Sequence, residues 1–395
     1  MSFLLNYLIW SPDPTAFTIP LEFIGLPDRP IVWYGILFAG GFLISQQIMF
    51  WIFKKEGKPR KDVDILTTHM VIATIIGARL GHCLFYNPSF YLSNPIEILK
   101  IWEGGLASHG GAIGILIAIW IYVNYDIRVK WAFIIPYSWR STKKKREGQS
   151  YFWILDRLVI VVALTGAMIR TGNFMNSEME GKPTNSSIGV VYARYTEELL
   201  NYDEDEVEEV YFEEGGELEQ PKPGYVPVTA VIKYKRGYEA DNPTNRSFIE
   251  NRLKRGLRSY GEVVEHIDFG SADEPLNYRI YQEGSHYYAE IYGIGIVRHT
   301  AQLYEATYCI LIMLVLLGIW YYKRNDVPEG FNFAIFNILL WSLRFVDEFF
   351  KMNQEPFEDN IPLNMGQWLS IPLFLMGIAV LIYVYKRDEK KSAVK

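Results

Sequence analysis

Charged and amide side chains crowd residues 167–181, AMIRTGNFMNSEMEG, where a long apolar run ends and an acidic segment begins. Arg170 carries a planar fork of hydrogen-bond donors that suits a phosphate, and Gly172 permits a close backbone approach. Asn173 and Glu178 add amide and carboxylate groups beside it. A lone arginine at the end of a membrane-spanning apolar run commonly extends to the lipid headgroups. Here the neighbouring glycine, amide and carboxylate favour an anion-binding site.

His109 lies in a second polar motif, Ser108-His109-Gly110-Gly111, at the start of another apolar run. Histidine is the side chain whose unperturbed pKa lies closest to neutrality, so it suits proton transfer. Gly110 and Gly111 let lipid or backbone come close to the ring. A structural histidine hydrogen-bonded to backbone fits the same pattern equally well. The motif alone therefore leaves His109 open between a general base and a structural residue.

The apolar residues that must position these groups are concentrated in runs of about 20 residues, the length that crosses a bilayer. Half of the chain is hydrophobic and only 21% is charged. The pattern predicts an all-α polytopic membrane protein with about seven transmembrane helices and an inserted α/β extracytoplasmic domain. The predicted spans cover residues 31–53, 65–85, 106–122, 152–169, 300–322, 331–350 and 365–385.

The distribution of basic residues predicts the orientation. Lys and Arg concentrate in the loops on one side, whereas the short segments on the other side hold only Arg29, Lys100 and Lys351. By the positive-inside rule, the basic side is the cytoplasm. The N-terminus and the insertion are therefore expected to face outward, and the C-terminus inward.

Three parts follow from these patterns. Residues 1–181 form an N-terminal membrane part with spans one to four and a proline-rich interfacial start. Residues 182–297 form the extracytoplasmic α/β insertion, with strands predicted at 226–234 and 286–292. A basic amphipathic segment at 248–260 is expected to pack on those strands or to lie on the membrane. Residues 298–395 form a C-terminal membrane part with spans five to seven and a basic cytoplasmic tail.

In this orientation, ionisable and amide groups gather at the outer ends of several spans. Any two of them could be a structural ion pair, for instance Arg344 and Glu348 at helical spacing. Convergence of so many at one level favours a polar cavity, because ionisable residues inside a membrane are functional candidates. The converging residues are Arg79, His82, His109, Arg170, Asn173, Glu305, Arg344 and Glu348.

These motifs resemble the prolipoprotein diacylglyceryl transferase family. Residues 167–181 are similar to the family signature, which begins Gly-Arg and runs through Gly-Asn-Phe to a closing glycine, here Gly181. The chain departs from the family pattern at Ile169, at Leu340 and Trp341 (where a tyrosine is expected), and in its larger outward domain. The likeness covers all seven spans in family order, through Trp33-Tyr34-Gly35 and residues 77–81, 104–114, 298–305, 344–348 and 367–372.

The resemblance implies an enzyme of the bacterial inner membrane. Such enzymes transfer the diacylglyceryl group of phosphatidylglycerol to the lipobox cysteine of a preprolipoprotein and release glycerol phosphate. The implied partners are phosphatidylglycerol, preprolipoprotein signal peptides with their lipobox cysteine, and membrane lipids. No nucleic acid, metal or soluble cofactor is expected.

The resemblance also suggests roles for individual residues. The implied catalytic residues are His109 as the base for the thiol and Arg170 and Arg344 for the phosphate. Glu178 and Glu348 are expected to orient the arginines. Besides the two arginines, phosphatidylglycerol is expected to contact Tyr34, Asn173, Gly110 and Gly111, with Arg79, Gly181 and Glu305 in support.

Two other kinds of function use the same residues. In an anion transporter or channel, the arginines would line a path, but transporters favour broken helices in repeated halves, and no such repeat is evident in the sequence. In an intramembrane hydrolase, Ser108 and His109 would act together, although adjacent residues rarely supply a nucleophile and its base.

Overall fold

The structure is a computed structural model that describes residues 7–101, 105, 107–132, 135–143, 146–203, 205–216, 222–353, 358 and 361–393. The predicted features at residues 104, 106, 204 and 395 lie outside this part of the chain. The helices are α1 (Trp33–Lys55), α2 (Arg60–Phe85), α3 (Pro88–Ser93), α4 (Ser108–Asn124), α5 (Tyr151–Met175), α6 (Arg194–Leu200), α7 (Pro243–Phe248), α8 (Lys254–Ser259), α9 (Gly261–Val264), α10 (Ala301–Lys323), α11 (Phe331–Asp347) and α12 (Met365–Ala393).

The described strands range from 2 to 11 residues in length. In chain order they are β1 (Leu8–Trp10), β2 (Thr15–Ile19), β3 (Arg29–Val32), β4 (Tyr125–Ala132), β5 (Ile135–Lys143), β6 (Val190–Tyr192), β7 (Val207–Glu214), β8 (Tyr225–Tyr234), β9 (Ile267–Asp268), β10 (Tyr278–Glu283) and β11 (His286–Ile296).

Helices α1, α2, α5, α10 and α12 are long and apolar enough to cross a membrane. Counted over the described residues, these five helices agree with the expected polytopic membrane protein. Helices α4 and α11 have 17 residues each, somewhat fewer than the roughly 20 that a bilayer core requires. The finer count of seven crossings therefore stays a prediction.

The chain folds as two compact units that interleave along the sequence. The first unit comprises Met1–Phe38, Ala167–Thr307 and Leu343–Trp368. The second unit comprises Ala39–Gly166, Tyr308–Ser342 and Leu369–Lys395. Helices α1, α5, α10, α11 and α12 each contribute residues to both.

Glu56 joins three helices of the second unit. Its carboxylate accepts hydrogen bonds from Nε and Nη2 of Arg157 on α5, at 3.0 and 2.9 Å. The indole nitrogens of Trp153 on α5 and Trp320 on α10 also donate to it. These bonds satisfy a half-buried carboxylate next to the end of α1, which stabilises the packing of α1, α5 and α10.

The start of α11 is set by a buried carboxylate of α5. Asp156 accepts hydrogen bonds from the backbone N–H groups of Gly330 and Phe333, at 2.7 and 2.9 Å. The first N–H groups of a helix have no partner inside the helix, so a carboxylate at this place caps it. This contact fixes where α11 begins, and α11 carries Arg344 in its last turn.

The insertion contains a five-stranded antiparallel sheet in the first unit. Its order is β10-β11-β8-β7, and β9 pairs with β11. Ile249, Leu253 and Leu257 lie in one buried cluster with sheet residues such as Ile232. The amphipathic segment therefore packs on the strands, which is the first of its two predicted arrangements.

Two segments outside the predicted spans and the insertion also form strands. The proline-rich start contains β1, which pairs in parallel with β6, and the antiparallel hairpin β2–β3. Parallel pairing with β6 ties the N-terminal segment to the start of the insertion. Part of the basic loop between spans three and four forms the antiparallel pair β4–β5. A strand forms where its backbone finds hydrogen-bonding partners in another segment. The local sequence pattern does not show which segments pair.

Candidate active site

Glu305, on α10, lies at the centre of a charged cluster in the first unit. Its carboxylate is 2.9 Å from Nε of Arg170 on α5 and 3.0 Å from Nη1 of Arg344 on α11. Glu305 is only 5% exposed, so water screens these attractions weakly. One carboxylate thus brings together the two arginines that the sequence predicted to bind a phosphate.

Arg170 keeps part of its guanidinium group available. Nε contacts Glu305, and Nη1 donates to Oδ1 of Asn173 at 3.3 Å. In the part of the chain that the structure describes, Nη2 has no hydrogen-bond partner. A guanidinium oriented through two of its nitrogens presents the third to a ligand with little further loss of side-chain freedom.

Glu178 acts on Arg170 through Asn173. Its carboxylate accepts hydrogen bonds from the side-chain amides of Asn173 and Asn176, at 3.3 and 3.2 Å. Donating Nδ2 to Glu178 leaves Oδ1 of Asn173 turned towards Arg170. Glu305 therefore contacts Arg170 directly. Glu178 orients the Asn173 amide, which lies between Glu178 and Arg170.

Lys351 is a member of the cluster that sequence reasoning missed. Its ammonium group lies 2.9 Å from Glu305, 3.2 Å from Asp347 and 3.4 Å from Glu348. The residue is 3% exposed. In the sequence it was only one of the few basic residues outside the loops predicted to be cytoplasmic. Its spacing of three and four residues from two carboxylates was the available signal.

Glu348, the residue after the end of α11, contacts two cations. It lies 3.3 Å from Nη2 of Arg344 and 3.4 Å from Lys351. Arg344 is therefore held between Glu348 on its own segment and Glu305 on α10. The predicted helical pair exists, and it is one part of a larger network.

Tyr34, in the first turn of α1, packs against the signature helix at Gly172. A Cβ atom added to Gly172 would lie 3.0 Å from the Tyr34 Cα and 3.1 Å from its ring. Gly172 therefore allows α1 to approach α5 two residues after Arg170. This contact places Tyr34 beside the helix that carries Arg170.

The turn after α5, residues 176–181, is called the signature loop below. Ser177 and Met179 adopt the left-handed conformation, with φ of 51° and 60°. Such a backbone costs a residue other than glycine on the order of 1–3 kcal/mol and persists only where contacts enforce it. The strain lies on both sides of Glu178, so the loop conformation determines where that carboxylate points.

Gly181 closes the loop where three chain segments meet. Its N–H donates to the carbonyl of His299, and the N–H of Lys182 donates to the carbonyl of Phe350. Gly181 also forms an isolated antiparallel bridge with Lys351. A Cβ atom on Gly181 would lie 2.5 Å from the Cβ of His299 and 2.7 Å from the Phe350 oxygen. The role of this glycine is close packing.

We expect Gly181→Ala to destabilise the protein by about 1–3 kcal/mol, because the added methyl group overlaps two neighbouring segments. The shift of the thermal unfolding transition in detergent measures it. Gly318→Ala is the matched control, since nothing lies within 4 Å of a Cβ at Gly318, inside α10. The control should match or exceed the wild-type melting temperature, because alanine favours helix over glycine. Equal melting temperatures for both variants would contradict the packing role.

His109 lies in the second unit, in the first turn of α4. Its ring is exposed and packs edge-on against Phe85, with ring centroids 5.0 Å apart, and beside Tyr86. Among the described residues it has no hydrogen-bond partner. The ring is accessible and held by aromatic contacts, which suits proton transfer to a ligand.

Gly110 and Arg79 contribute to the structure around His109 in the second unit. A Cβ atom on Gly110 would lie 2.6 Å from the Cα of Gly81, so Gly110 lets α4 touch the backbone of α2. Gly111 faces Ala78 at an ordinary 3.7 Å. Arg79 is buried and donates to the carbonyls of Ile98 and Glu97, at 3.0 and 2.6 Å. Arg79 thereby fixes the connection that precedes α4.

An apolar groove of about 790 Å³ runs along α2 and α4 in the second unit. Its walls include Ile72, Ile76, Ile113 and Ile117, and one end reaches Phe85, the ring neighbour of His109. Grooves lined by aliphatic side chains accommodate hydrocarbon.

His299 is a second histidine near the signature, in the first unit. Burial lowers the pKa of His299 from its ordinary value, so the ring is neutral at pH 7. Its Nδ1 lies 3.0 Å from the Tyr304 hydroxyl, and its ring packs edge-on against Phe350. Through these contacts the His299 ring is packed in place beside Gly181.

The chain matches known proteins over nearly its whole length. The family model described as prolipoprotein diacylglyceryl transferase matches residues 22–383. A protein of Tolumonas auensis is 31% identical over 97% of this chain and 100% of its own length. A protein of Porphyromonas gingivalis is 31% identical, covering 96% of this chain and 95% of its own length.

A third relative, from Chloroherpeton thalassium, is 27% identical over 97% of both chains. All three relatives carry the name phosphatidylglycerol–prolipoprotein diacylglyceryl transferase. The resemblance seen in the sequence motifs is confirmed by the match over residues 22–383. The chain belongs to the prolipoprotein diacylglyceryl transferase family.

Proposed function

We propose that this protein transfers the diacylglyceryl group of phosphatidylglycerol to the cysteine thiol of a prolipoprotein, the first step of lipoprotein maturation. The named relatives and the family match support this reaction. The structural observation that carries it is Glu305, which holds Arg170 and Arg344 within 3.0 Å of one buried carboxylate. Two guanidinium groups fixed in this way suit the phosphate of a lipid headgroup.

In the reaction, the thiolate sulfur bonds to the carbon of the diacylglyceryl group that carries the phosphate oxygen. The bond from that carbon to the phosphate oxygen breaks, and glycerol phosphate leaves with the electron pair. Negative charge grows on the leaving group, and Arg170 and Arg344 stabilise it. His109 takes the proton of the thiol, because the thiolate is the nucleophile.

The remaining predicted residues bind or orient. Tyr34 and Asn173 bind the phosphate or the glycerol hydroxyls, and Glu178, Glu305 and Glu348 orient the donors. The apolar groove along α2 and α4, within the second unit, has aliphatic walls that suit hydrocarbon. Gly110 and Gly111 lie at the same helix end as His109.

Purified protein tests the proposal directly. Incubation with phosphatidylglycerol and a peptide containing a lipobox cysteine should yield the thioether product, identified by mass spectrometry, and free glycerol phosphate. A peptide with serine in place of the cysteine is the matched control and should remain unmodified, since a hydroxyl is not ionised near neutral pH. Absence of the thioether with the cysteine peptide would refute the activity. The anion-transporter and hydrolase alternatives receive no support from the relatives.

The proposal includes the arrangement of the chain in the bacterial inner membrane. Residues 1–181 and 298–395 form the two membrane parts, with seven spans in total, and residues 182–297 form the outward α/β insertion. The prolipoprotein is recognised through its lipobox, and bilayer lipids surround the apolar helices. The asymmetry of basic residues between the two sets of loops supports this orientation.

Reporter fusions test this arrangement. A fusion point within residues 203–209 should lie outside the cytoplasm, and one after residue 395 should lie inside. The reason is that loops rich in Lys and Arg stay on the cytoplasmic side. Activity of paired alkaline phosphatase and green fluorescent protein fusions measures the location. Both fusion points on the same side would exclude the three spans predicted between them, and with them the seven-span arrangement.

A further inference from the structure

The signature loop is in contact with residues of the insertion, 182–297. Its two left-handed residues, Ser177 and Met179, need contacts that hold them. Part of that support comes from its own backbone, since the N–H of Glu178 donates to Asn173 and that of Gly181 to His299. The rest comes from side chains that lie elsewhere in the first unit.

His266 of the insertion contacts the loop directly. Its Nε2 lies 2.6 Å from Oε1 of Glu180, and its Nδ1 is bonded to the carbonyl of Glu262. His266 is 3% exposed. The bond to Glu262 fixes the ring orientation on α9, so the contact with Glu180 joins the insertion to the loop in one defined geometry.

Arg298 and Arg194 hold the two ends of the loop. Arg298 donates to the carbonyls of Gly181 and Glu265, at 3.3 and 2.6 Å, and lies 3.5 Å from Glu180. Arg194, on α6, donates to the carbonyl of Asn176 and is oriented by Glu198 at 2.8 Å. The start and the end of the strained segment are therefore both bound by arginines.

The middle of the loop is held through a chain of two bonds. Tyr192, on β6, donates to Oε1 of Gln302 at 3.1 Å, and Gln302 donates to the carbonyl of Glu178 at 2.6 Å. Tyr192 and Gln302 are each 1% exposed. Buried bonds of this kind break at a high cost, because the polar groups would be left without partners.

We propose that His266 and Arg194 are positioning residues for the transfer reaction, and that the insertion serves to hold the signature loop in its strained conformation. The inference rests on the proposed function. The effect reaches the reacting atoms in steps: the loop directs Glu178, Glu178 binds Asn173, and Asn173 binds Arg170. A loop that relaxes would turn Glu178 away and leave Arg170 less well oriented.

The test compares His266→Leu with His266→Gln. Leucine removes the hydrogen-bond partner of Glu180, whereas glutamine places an amide donor close to the position of Nε2. We expect kcat of the leucine variant to fall about 10- to 100-fold, because small misplacements of orienting groups have effects of this size. The glutamine variant should recover most of the wild-type kcat. The Michaelis constant for the lipobox peptide should change little in both.

Arg258→Met is the matched control for a purely structural role. Arg258 lies in the insertion as well and donates to the carbonyls of Phe269, Glu274 and Pro275, none of which belongs to the signature loop. Its loss should lower the melting temperature while the kcat of the folded protein stays within about twofold of wild type, since it removes local bonds only. A kcat loss in Arg258→Met equal to that in His266→Leu would overturn the proposal.

Hydrogen exchange separates this inference from the proposed function. The amides of Glu178 and Gly181 should exchange faster in His266→Leu, and in Arg194→Met if the leucine variant does not fold, but not in Arg258→Met. Unchanged exchange at these amides, or a normal kcat in folded His266→Leu, would overturn the proposal. Wild-type protein without transfer activity would refute the proposed function, and the exchange rates would still decide whether His266 holds the loop.

Discussion

Arg170→Lys should lower the rate of diacylglyceryl transfer about 10²- to 10³-fold while the protein remains folded, the usual effect of losing one donor to a developing charge. Arg170 reaches Glu305 through Nε and Asn173 through Nη1, which leaves Nη2 for the phosphate. A lysine ammonium is a single point charge on a flexible stem. It can replace the contact with Glu305 or face the phosphate, but it cannot do both in the geometry of the fork.

The measurement is single-turnover formation of the thioether with purified protein, phosphatidylglycerol and a lipobox peptide. Arg157→Lys is the matched control, because Arg157 lies on the same helix and its guanidinium is bound by Glu56. That variant should lose stability and retain its turnover per folded molecule. Near-normal turnover by folded Arg170→Lys would contradict the role of the arginine.

His109→Gln should lower the rate of the chemical step about 10²- to 10⁴-fold, the typical contribution of a general base. Phosphatidylglycerol binding should remain largely intact, because the phosphate contacts are assigned to Arg170 and Arg344. Glutamine is similar in size and cannot take the thiol proton. Lipid binding and single-turnover transfer, measured on the same preparation, separate the two effects.

The loss of activity in His109→Gln should depend on pH. An unperturbed cysteine thiol has a pKa of about 8.5, so the thiolate fraction rises with pH and reaches about one half at that value. Raising the pH towards 8.5 should therefore recover part of the activity of His109→Gln, since the solution then supplies thiolate. Arg344→Ala should show no such recovery, because its defect lies in the phosphate contacts.

His299→Gln is the control for a histidine that acts only through packing. Burial lowers the pKa of His299, and the ring is bonded to Tyr304. This variant should retain a pH profile parallel to that of wild type. If His109→Gln abolishes lipid binding, or if its defect does not respond to pH, then His109 is not the base. A pH-dependent defect in His299→Gln instead would move the base assignment to the first unit.

The positions of the membrane helices were predictable from the sequence because hydropathy is a local property. Each predicted span coincides with a helix, including the short helices α4 and α11. The signature residues were predictable for a related reason. Arginine, amide and carboxylate groups at the end of an apolar run are costly in lipid, so their presence in the sequence already indicates a site.

The pairing within the site was not predictable in the same way. Glu178 and Glu348 are close to the arginines in sequence, and the sequence therefore indicated them as the orienting carboxylates. The structure gives the central contact to Glu305, 135 residues after Arg170 by their numbers, and brings in Lys351 as a third cation. Which charges meet depends on how α5, α10 and α11 pack, and local spacing carries no information on that.

The sequence by itself thus determined the class of the protein, the places of its helices and the residues with the chemistry for phosphate and thiol. Only the tertiary structure shows that Gly181 packs against His299 and Phe350. It also shows that His266 of the insertion contacts Glu180 of the signature loop. The physical reason is the range of the interactions. Hydrophobic periodicity and motif chemistry act within a few residues along the chain, whereas ion pairs, backbone bridges and buried hydrogen bonds form only between segments that folding brings together.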